Sequence, residues 1–312
     1  MNHSKRIGSR LLSLLLAVAL VLALSVPAFA AQDSHSGADT GTLKIAVMSD
    51  DHYLSPSMIR DTADYTTALN SDRKMFAESD AILRTMLDAV RQDKPDVLLI
   101  SGDLTKDGEQ ECHKALAKAL QQLQRDVPGL KVYVINDFIY SDPTVIATYT
   151  PPAGKEAGGL SYVARPADGY TLVVIDTGRY SSDNTSTGKN EHETSGAISA
   201  DLEQWVIDQI KAAKARGDVV LGMQHHGLVA HFDVQPTILP MYLVNDYERL
   251  SQEYADAGMS VMFTGHSHAV DIASATTVAG NTIYDIETGS GLTYPSPLRF
   301  VELRRSADAT VV

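Results

Sequence analysis

Short apolar runs alternate with longer segments of helical periodicity along most of this 312-residue chain. The runs are four to six residues long and rich in Val, Ile and Leu, which is typical of buried strands. Because such strands must be covered by other elements, the alternation predicts an α/β domain whose sheets are buried between helices. The predicted strands are residues 43–48, 97–100, 131–135, 171–175, 219–223, 261–264, 282–286 and 298–303.

Four helices are predicted between these strands. Residues 72–91 and 110–127 carry apolar side chains at helical spacing. A third helix is expected to begin after the capping residue Ser199, and a fourth after Asn245, which has a glutamate three residues later as in a capping box. The third helix should end at Gly217 and the fourth at a glycine in position 258.

The first thirty residues have the three parts of a secretory signal peptide. A basic region precedes an apolar run at residues 11–26, and Ala28-Phe29-Ala30 matches an A-x-A cleavage site. We therefore expect the mature protein to be secreted and to have no membrane span after cleavage. An uncleaved N-terminal anchor is the alternative, but the apolar run is short for one.

The remaining chain is predicted to form one domain. Residues 1–30 are the signal peptide, residues 31–42 a flexible leader, residues 43–305 the α/β domain and residues 306–312 a short tail. The formal net charge is −13, which argues against non-specific nucleic-acid binding because that needs basic patches. Cys112 is the single cysteine, so no internal disulfide can form, and we expect it to be a small core residue.

Residues able to bind a metal directly follow four of the predicted strands, those at residues 43–48, 97–100, 219–223 and 261–264. In open α/β sheets, functional sites form at the carboxyl ends of strands. We therefore expect these side chains to meet at one edge of the fold. They are Asp50, His52, Asp103, His225, His266 and His268.

Each of these residues has an ordinary explanation when it is taken alone, since Asp103 could cap a turn and the histidines could bond backbone groups. Together they are harder to explain, because buried imidazoles and carboxylates are costly without a compensating cation. Imidazole and carboxylate oxygen suit Mn, Fe or Zn better than Ca or Mg. Two divalent ions about 3.5–4 Å apart would clamp a phosphate and activate a water. A structural zinc site is disfavoured because no thiol pair exists, and a serine hydrolase because no G-x-S-x-G motif occurs.

The ordered motifs D-x-H, G-D, H-H and G-H-x-H resemble those of the calcineurin-like metallophosphoesterases, over about residues 43–303. The resemblance implies an α/β/β/α sandwich of two central mixed sheets flanked by helices. It also implies a dinuclear metal centre that hydrolyses a phosphomonoester or phosphodiester substrate. In this ligand set Asp50, His52 and His268 would hold one ion, Asp103 would bridge, and His225 and His266 would hold the other.

One motif of the family, G-N-H-[DE], breaks down in this chain. It should follow the third predicted strand, where its Asn binds the second metal and its His assists the leaving group or the phosphate. Here Asn136-Asp137-Phe138 follow that strand, without the glycine and the histidine. Either Asn136 is the surviving ligand, or the motif and its loop are deleted, and we favour deletion.

The loss of this motif has two expected consequences. The second ion would bind more weakly, and the transferring phosphoryl group would lack a donor worth a few kcal/mol. His226 or His231 could substitute for the missing histidine. The alternative function is a catalytically weak or inactive binding protein on the same scaffold. Residues 285–290 and 294–297, with a predicted tight turn at residues 289–291, resemble the family's segment after G-H-x-H and are interpreted as scaffold near the rim.

Overall fold

The computed structural model describes residues 39–135, 144–152, 160–179, 194–306 and 310–311. Every strand predicted from the sequence is present in these ranges, with its ends shifted by a few residues at most. The strands are β1 Asp39–Met48, β2 Val97–Ile100, β3 Lys131–Val134, β4 Val145–Thr148, β5 Tyr162–Ala164, β6 Tyr170–Val174, β7 Val219–Met223, β8 Met259–Thr264, β9 Asp271–Thr276, β10 Thr282–Glu287, β11 Arg299–Ser306 and β12 Thr310–Val311.

The helices include the four that were predicted and two short ones that were not. Three 3-10 turns at Pro56–Met58, Phe76–Glu78 and Pro240–Tyr242 complete the described elements. No helix among the described residues is both long enough and apolar enough to cross a bilayer. The helices are α1 Ala63–Ser71, α2 Ser79–Asp93, α3 Gln110–Asp126, α4 Ala200–Ala215, α5 Gln235–Ile238 and α6 Tyr247–Ala257.

The described strands form two mixed sheets. The smaller sheet has five strands in the order β12-β11-β1-β2-β3, with β1, β2 and β3 parallel and β11 antiparallel to β1. The larger sheet has seven strands in the order β4-β5-β6-β7-β8-β10-β9, with a parallel centre from β6 to β10. Because β1, β2, β7 and β8 are parallel strands at the centres of their sheets, their carboxyl ends carry loops that can meet.

The core lies in two hydrophobic clusters, one on each face of the larger sheet. Leu172 and Val174 of β6 pack in a cluster shared with the smaller sheet and with α2 and α3. Val173, between them, packs in a second cluster with α4 and α6. Adjacent strand residues point to opposite faces, so this division places the two sheets in the middle and helices on both outer sides. The predicted α/β/β/α sandwich is confirmed.

Several element boundaries differ from the predicted ones for local reasons. β1 begins at Asp39, within the segment predicted to be a loose leader, because its first residues pair with β11. The segment predicted to be helical from residue 72 becomes an α-helix only at Ser79, since the Asp72 carboxylate accepts the backbone N–H of Lys74 at 2.9 Å and favours a turn. α6 has Asp246, with a left-handed backbone, at its N-cap position instead of Asn245.

Four strands, β4, β5, β9 and β12, were not predicted. β9 lies at the edge of the larger sheet and is mostly exposed, so its sequence lacks the apolar run that marks a buried strand. Two predictions concern residues outside the described ranges. These are the signal peptide and Asn136.

Candidate metal centre

The loops that follow β1, β2, β7 and β8 bring together the six side chains expected to meet there. Two sets of potential metal-binding atoms result, and within each set all atoms lie within 4.8 Å of one another. One set comes from Asp50, Asp103, His225 and His266, and the other from Asp50, His52 and His268. We call these six residues the donor cluster.

The backbone of the donor cluster is unusual. Five of its six residues have positive φ angles, a region that side chains other than glycine rarely adopt. Such conformations cost on the order of 1–3 kcal/mol each and persist where the surrounding structure enforces them, often at functional sites. The residues and angles are Asp50 at 51°, His52 at 39°, Asp103 at 45°, His266 at 73° and His268 at 61°.

Two glycines of the motifs are required by close packing against the donor cluster. Gly102 has φ of 125°, and a Cβ at this position would lie 2.2 Å from Nδ1 of His225. A Cβ on Gly265 would lie 1.9 Å from Oγ of Ser49 and 2.6 Å from Oδ2 of Asp50. Both positions therefore exclude any larger residue unless the cluster itself moves.

Asp50 lies at the centre of the donor cluster and is fully buried. Its Oδ2 accepts hydrogen bonds from Ser49 Oγ at 2.5 Å and from the His266 N–H at 2.9 Å. Its buried Oδ1 has no hydrogen-bond partner among the described residues, and it lies 3.2 Å from Nε2 of His268 and 4.0 Å from Nε2 of His225. Burial opposes ionisation of Asp50, but the positive charge of His225 outweighs it and lowers the pKa of the carboxyl group.

Asp103 belongs to the first donor set and also lies near His52 of the second. Its Oδ2 is 3.5 Å from Nε2 of His52 and 3.6 Å from Nε2 of His225. Burial alone would raise the pKa of Asp103, but the neighbouring His225 lowers it below the ordinary range. A carboxylate that is ionised and equidistant from a histidine of each set is suited to bridge two cations.

Two of the histidines are oriented by hydrogen bonds to backbone carbonyl groups. His225 Nδ1 donates to the Ser101 carbonyl at 2.9 Å, and His266 Nε2 donates to the Thr194 carbonyl at 2.8 Å. A carbonyl oxygen can only accept, so these bonds leave the other nitrogen of each ring available to the cluster. Outward bonds of this kind are typical of metal-binding histidines. Nδ1 of His268 lies 3.4 Å from the Thr293 hydroxyl, a weaker contact of the same kind.

The charges of the histidines differ within the cluster. Burial would lower the pKa of His225, but Asp103 and Asp50 raise it to about 9. Burial lowers the pKa of His52 to about 4, and burial together with the charge of His225 lowers that of His266 to about 4. At neutral pH, two of these rings are therefore neutral, as metal binding requires, and His225 has to release a proton to bind a cation.

His226, one of the two candidate catalytic residues, uses both ring nitrogens within the protein. Nδ1 lies 2.7 Å from the Thr177 hydroxyl and Nε2 lies 3.0 Å from the Thr194 carbonyl. Burial lowers the pKa of His226 well below its ordinary value, so the ring is neutral, donates from Nε2 and accepts at Nδ1. The Thr194 carbonyl thus accepts from both His226 and His266. A Cβ on Gly196 would lie 2.4 Å from Cγ of His226, which explains the small residue there.

His231, the other candidate catalytic residue, lies away from the donor cluster. Its Nδ1 is 3.0 Å from Oδ2 of Asp271, and its Nε2 is 3.7 Å from a carboxylate oxygen of both Asp285 and Glu287.

The turn after β10, interpreted from the sequence as scaffold, contacts the donor cluster. The Ser290 hydroxyl donates a hydrogen bond to the backbone carbonyl of Asp50 at 2.7 Å.

A cleft of about 450 Å³ opens onto the donor cluster. The side chains of Lys106 and Arg179 line it together with donor-cluster residues and His226. The ammonium group of Lys106 pairs with Asp107 and lies 5.4 Å from the centroid of the Phe76 ring. Sequence reasoning missed these two cations, because neither belongs to a strand-end motif.

The donor cluster fits divalent metal ions. It contains only imidazole nitrogens and carboxylate oxygens, a set that suits Mn, Fe or Zn. The fully buried Oδ1 of Asp50, which has no hydrogen-bond donor among the described residues, would gain a partner from a cation. Asn136, the seventh predicted ligand, lies outside the described residues.

Comparison with known proteins gives matches of fold only. No protein-family model matches the chain, and no curated protein matches it. Among solved structures, it is similar to a dimetal phosphatase from Danio rerio, with 16% identity, a TM-score of 0.55, and coverage of 86% of this chain and 94% of that one. A purple acid phosphatase from yellow lupin (Lupinus luteus) seeds gives 11% identity and a TM-score of 0.45, with coverage of 85% of this chain and 49% of that one.

The match to the dimetal phosphatase extends over most of both chains, and it agrees with the two mixed sheets and their flanking helices. The chain therefore has the fold of the calcineurin-like metallophosphoesterases, as the sequence motifs imply.

Proposed function

We propose that this protein is a metal-dependent phosphoester hydrolase with two divalent ions. Asp50, His52 and His268 would hold one ion, and His225 and His266 the other. Asp103 would bridge them, and Asp50 is close enough to both sets to contribute charge to each. The observation that carries the proposal is the convergence of two donor sets on Asp50, whose buried Oδ1 has no hydrogen-bond donor among the described residues.

The bound ions would lower the pKa of a water and neutralise the phosphate oxygens of the substrate. The protein's own residues would prepare the site for that chemistry. The Ser101 and Thr194 carbonyls orient His225 and His266, so that little reorganisation is needed when the substrate binds. Lys106 and Arg179 line the cleft where a phosphate ester would lie, together with Asp107, which pairs with Lys106.

The signal sequence supports a secreted location for this activity, and the substrate would then be an extracytoplasmic phosphomonoester or phosphodiester. Mn, Fe or Zn would serve as the metal. Because the proposed ligands all come from this one chain, the activity can be tested on the purified protein alone.

A second candidate function is that of a binding protein that is catalytically weak or inactive. It is favoured by the state of His226, whose two nitrogens are both occupied by Thr177 and Thr194, so that it does not offer a donor to the substrate in place of the missing motif histidine. If this candidate is correct, insertion of a G-N-H-D loop after Ile135 should raise turnover by orders of magnitude.

The test is metal content measured together with activity. Purified protein, loaded with Mn²⁺, Fe²⁺ or Zn²⁺, should hold two equivalents of metal and hydrolyse an aryl phosphate monoester or diester. His266→Ala should lose one equivalent and most of the activity. Asp208→Asn, on the exposed surface of α4, is the matched control and should behave as the unchanged protein.

Two results would count against the proposal. A loaded protein that hydrolyses neither type of ester would leave the binding function as the better account. A protein that binds no metal would exclude both candidates.

A further inference from the structure

Asp285, in the middle of β10, is fully buried and connects two ligand-bearing segments. Its Oδ2 accepts the backbone N–H groups of Leu228 at 2.6 Å and Val229 at 3.0 Å, in the loop that starts with His225. Its Oδ1 accepts the hydroxyl of Thr264 at 2.5 Å, two residues before His266. One carboxylate therefore joins the loops that carry the two histidines of one donor set.

Glu287 lies two residues further along β10, so its side chain is on the same face of the strand as that of Asp285. Its Oε1 accepts a hydrogen bond from the hydroxyl of Ser267. Ser267 separates His266 from His268, one histidine of each donor set. Glu287 therefore holds the G-H-x-H loop through Ser267, which lies between its two histidines.

His231 supplies positive charge to these two acids. Its Nε2 lies 3.7 Å from Oδ2 of Asp285 and 3.7 Å from Oε2 of Glu287, and its Nδ1 bonds Asp271 of β9. Its side chain is 4% exposed. Two adjacent buried carboxylates would repel each other without such a partner. We call His231, Asp285 and Glu287 the β10 cluster.

We propose that Asp285 and Glu287 are positioning residues, which fix the distance between the loop after β7 and the G-H-x-H loop and thereby set the metal affinity of the donor cluster. The inference rests on the proposed function, because it needs a metal at that cluster. The β10 residues contact no donor atom themselves. They act through Leu228, Val229, Thr264 and Ser267, which lie within four residues of a donor histidine.

This arrangement has a clear physical reason. His266 and His268 have left-handed backbones, which are not stable in an isolated loop and need external contacts to persist. The Ser267–Glu287 bond lies between these two residues. Supporting contacts behind metal ligands commonly change metal affinity ten- to a hundredfold when they are removed.

The experiment is calorimetric titration of the metal-free full chain with Mn²⁺. Glu287→Leu, which removes the acceptor for Ser267, should weaken Mn²⁺ binding by about ten- to a hundredfold. Glu287→Gln keeps an acceptor oxygen while removing the charge, and its affinity should stay within about threefold of the unchanged protein. Asp208→Asn, on the exposed surface of α4 and in neither ligand-bearing loop, is the control and should bind normally.

Two further variants test Asp285. Asp285→Ala should weaken Mn²⁺ binding at least as much as Glu287→Leu does. Because it also leaves two buried N–H groups without an acceptor and could prevent folding, Thr264→Val provides a milder second test. It removes only the hydroxyl that Oδ1 accepts, and a several-fold loss of affinity is expected. Thermal unfolding with a chelator present gives the stability of each metal-free variant.

The outcomes can be told apart. If Glu287→Leu and Thr264→Val lower the metal-free unfolding temperature but bind Mn²⁺ as the unchanged protein does, these residues are merely structural and the inference is wrong. If Glu287→Gln loses as much affinity for Mn²⁺ as Glu287→Leu does, the loss comes from the missing charge, and the proposed positioning role is again wrong. An unchanged protein that binds none of Mn²⁺, Fe²⁺ and Zn²⁺ would overturn the proposed function and this inference with it.

Discussion

The donor cluster and the β10 cluster are built from the same residue types, histidine with aspartate or glutamate, yet they differ in how the oxygens of their buried aspartates are satisfied. Nε2 of His231 has no hydrogen-bond partner among the described residues, so the difference concerns Asp285 and Asp50. In the β10 cluster, both oxygens of Asp285 accept protein hydrogen bonds, and His231 provides a cation. In the donor cluster, Oδ1 of Asp50 is buried without a donor from the described residues. Five donor-cluster residues have left-handed backbones, whereas no β10-cluster residue does.

This difference shows what marks a metal centre within the described part of the chain. Buried histidines and carboxylates can compensate each other, as they do around His231, and then no ion is needed. Where several acceptor atoms converge and a protein donor is missing, a cation is the remaining means of compensation. The predictions that follow test whether the two clusters differ in this way.

The largest effect is expected for Asp50→Asn in the donor cluster. The substitution removes the charge shared by both donor sets, so we expect loss of at least one metal equivalent and a fall in kcat/KM of about 10³-fold or more, equivalent to about 4 kcal/mol. Metal analysis and ester hydrolysis measure the two effects. Asp208→Asn serves as the control, and equal activity of the two variants would remove Asp50 from the site.

A change of pH is expected to have an intermediate effect on the stability of the fold, through the β10 cluster. Burial opposes a charge on His231, but Asp285 and Glu287 raise its pKa to about 9, above the ordinary value of 6.5. The charged ring therefore stabilises the fold fully below pH 6.5, and this stabilisation is lost as the pH rises towards 9. Burial also raises the pKa of Glu287 from 4.5 to about 7. Its contribution to the free energy of unfolding therefore also falls as the pH rises, between about 4.5 and 7.

The measurement is the free energy of unfolding of metal-free protein between pH 6.5 and 9. It should fall by a few kcal/mol, on the order of 2 kcal/mol from His231 and a similar amount from His225, whose pKa is also raised to about 9, so His231→Gln should remove about half of the fall. The groups that face His231 are Asp271 from β9 and Asp285 and Glu287 from β10. Nη2 of Arg299, in β11, donates to the backbone carbonyl of Glu287 at 2.7 Å. An identical pH profile for the variant would show that His231 does not compensate the two acids.

The sequence indicated that the side chains of the donor cluster would lie together, because each of them closely follows a strand. A strand end in an α/β sheet fixes the location of the next few residues, so the sequence alone was enough to expect Asp50, Asp103, His225 and His266 at one edge. The motif order supplied the division into two ligand sets. Most strands in the buried centres of the sheets were predicted, whereas the exposed β9 and the buried but only three-residue β5 were missed.

Other features of the site depend on contacts that are distant in sequence. The left-handed backbone of His268 and the carbonyl of Thr194 behind His266 have no local signal, since Thr194 lies 72 residues from His266. The sequence does contain one sign of the β10 cluster. Asp285 and Glu287 are two residues apart in an otherwise apolar strand, which places two acids on one buried face. That pattern predicts buried acids, but not the loops that they hold.

The smallest effect is expected at His226, next to the donor cluster. Thr177→Val removes the hydroxyl that donates to Nδ1 of His226 and should lower the free energy of unfolding by about 1 kcal/mol. Because Nε2 of His226 still bonds Thr194, we expect kcat/KM to change by less than about threefold. Chemical denaturation and ester hydrolysis give the two values. A large fall in activity would instead give His226 a role in the reaction.

The central claim is that two cations share the carboxylates of Asp50 and Asp103. Anomalous diffraction from crystals grown with Mn²⁺ or Zn²⁺ tests it most directly. We predict two peaks about 3.5–4 Å apart, one beside His52 and His268 and one beside His225 and His266. A single peak with four protein ligands and no open position, or no peak at these side chains, would contradict the account.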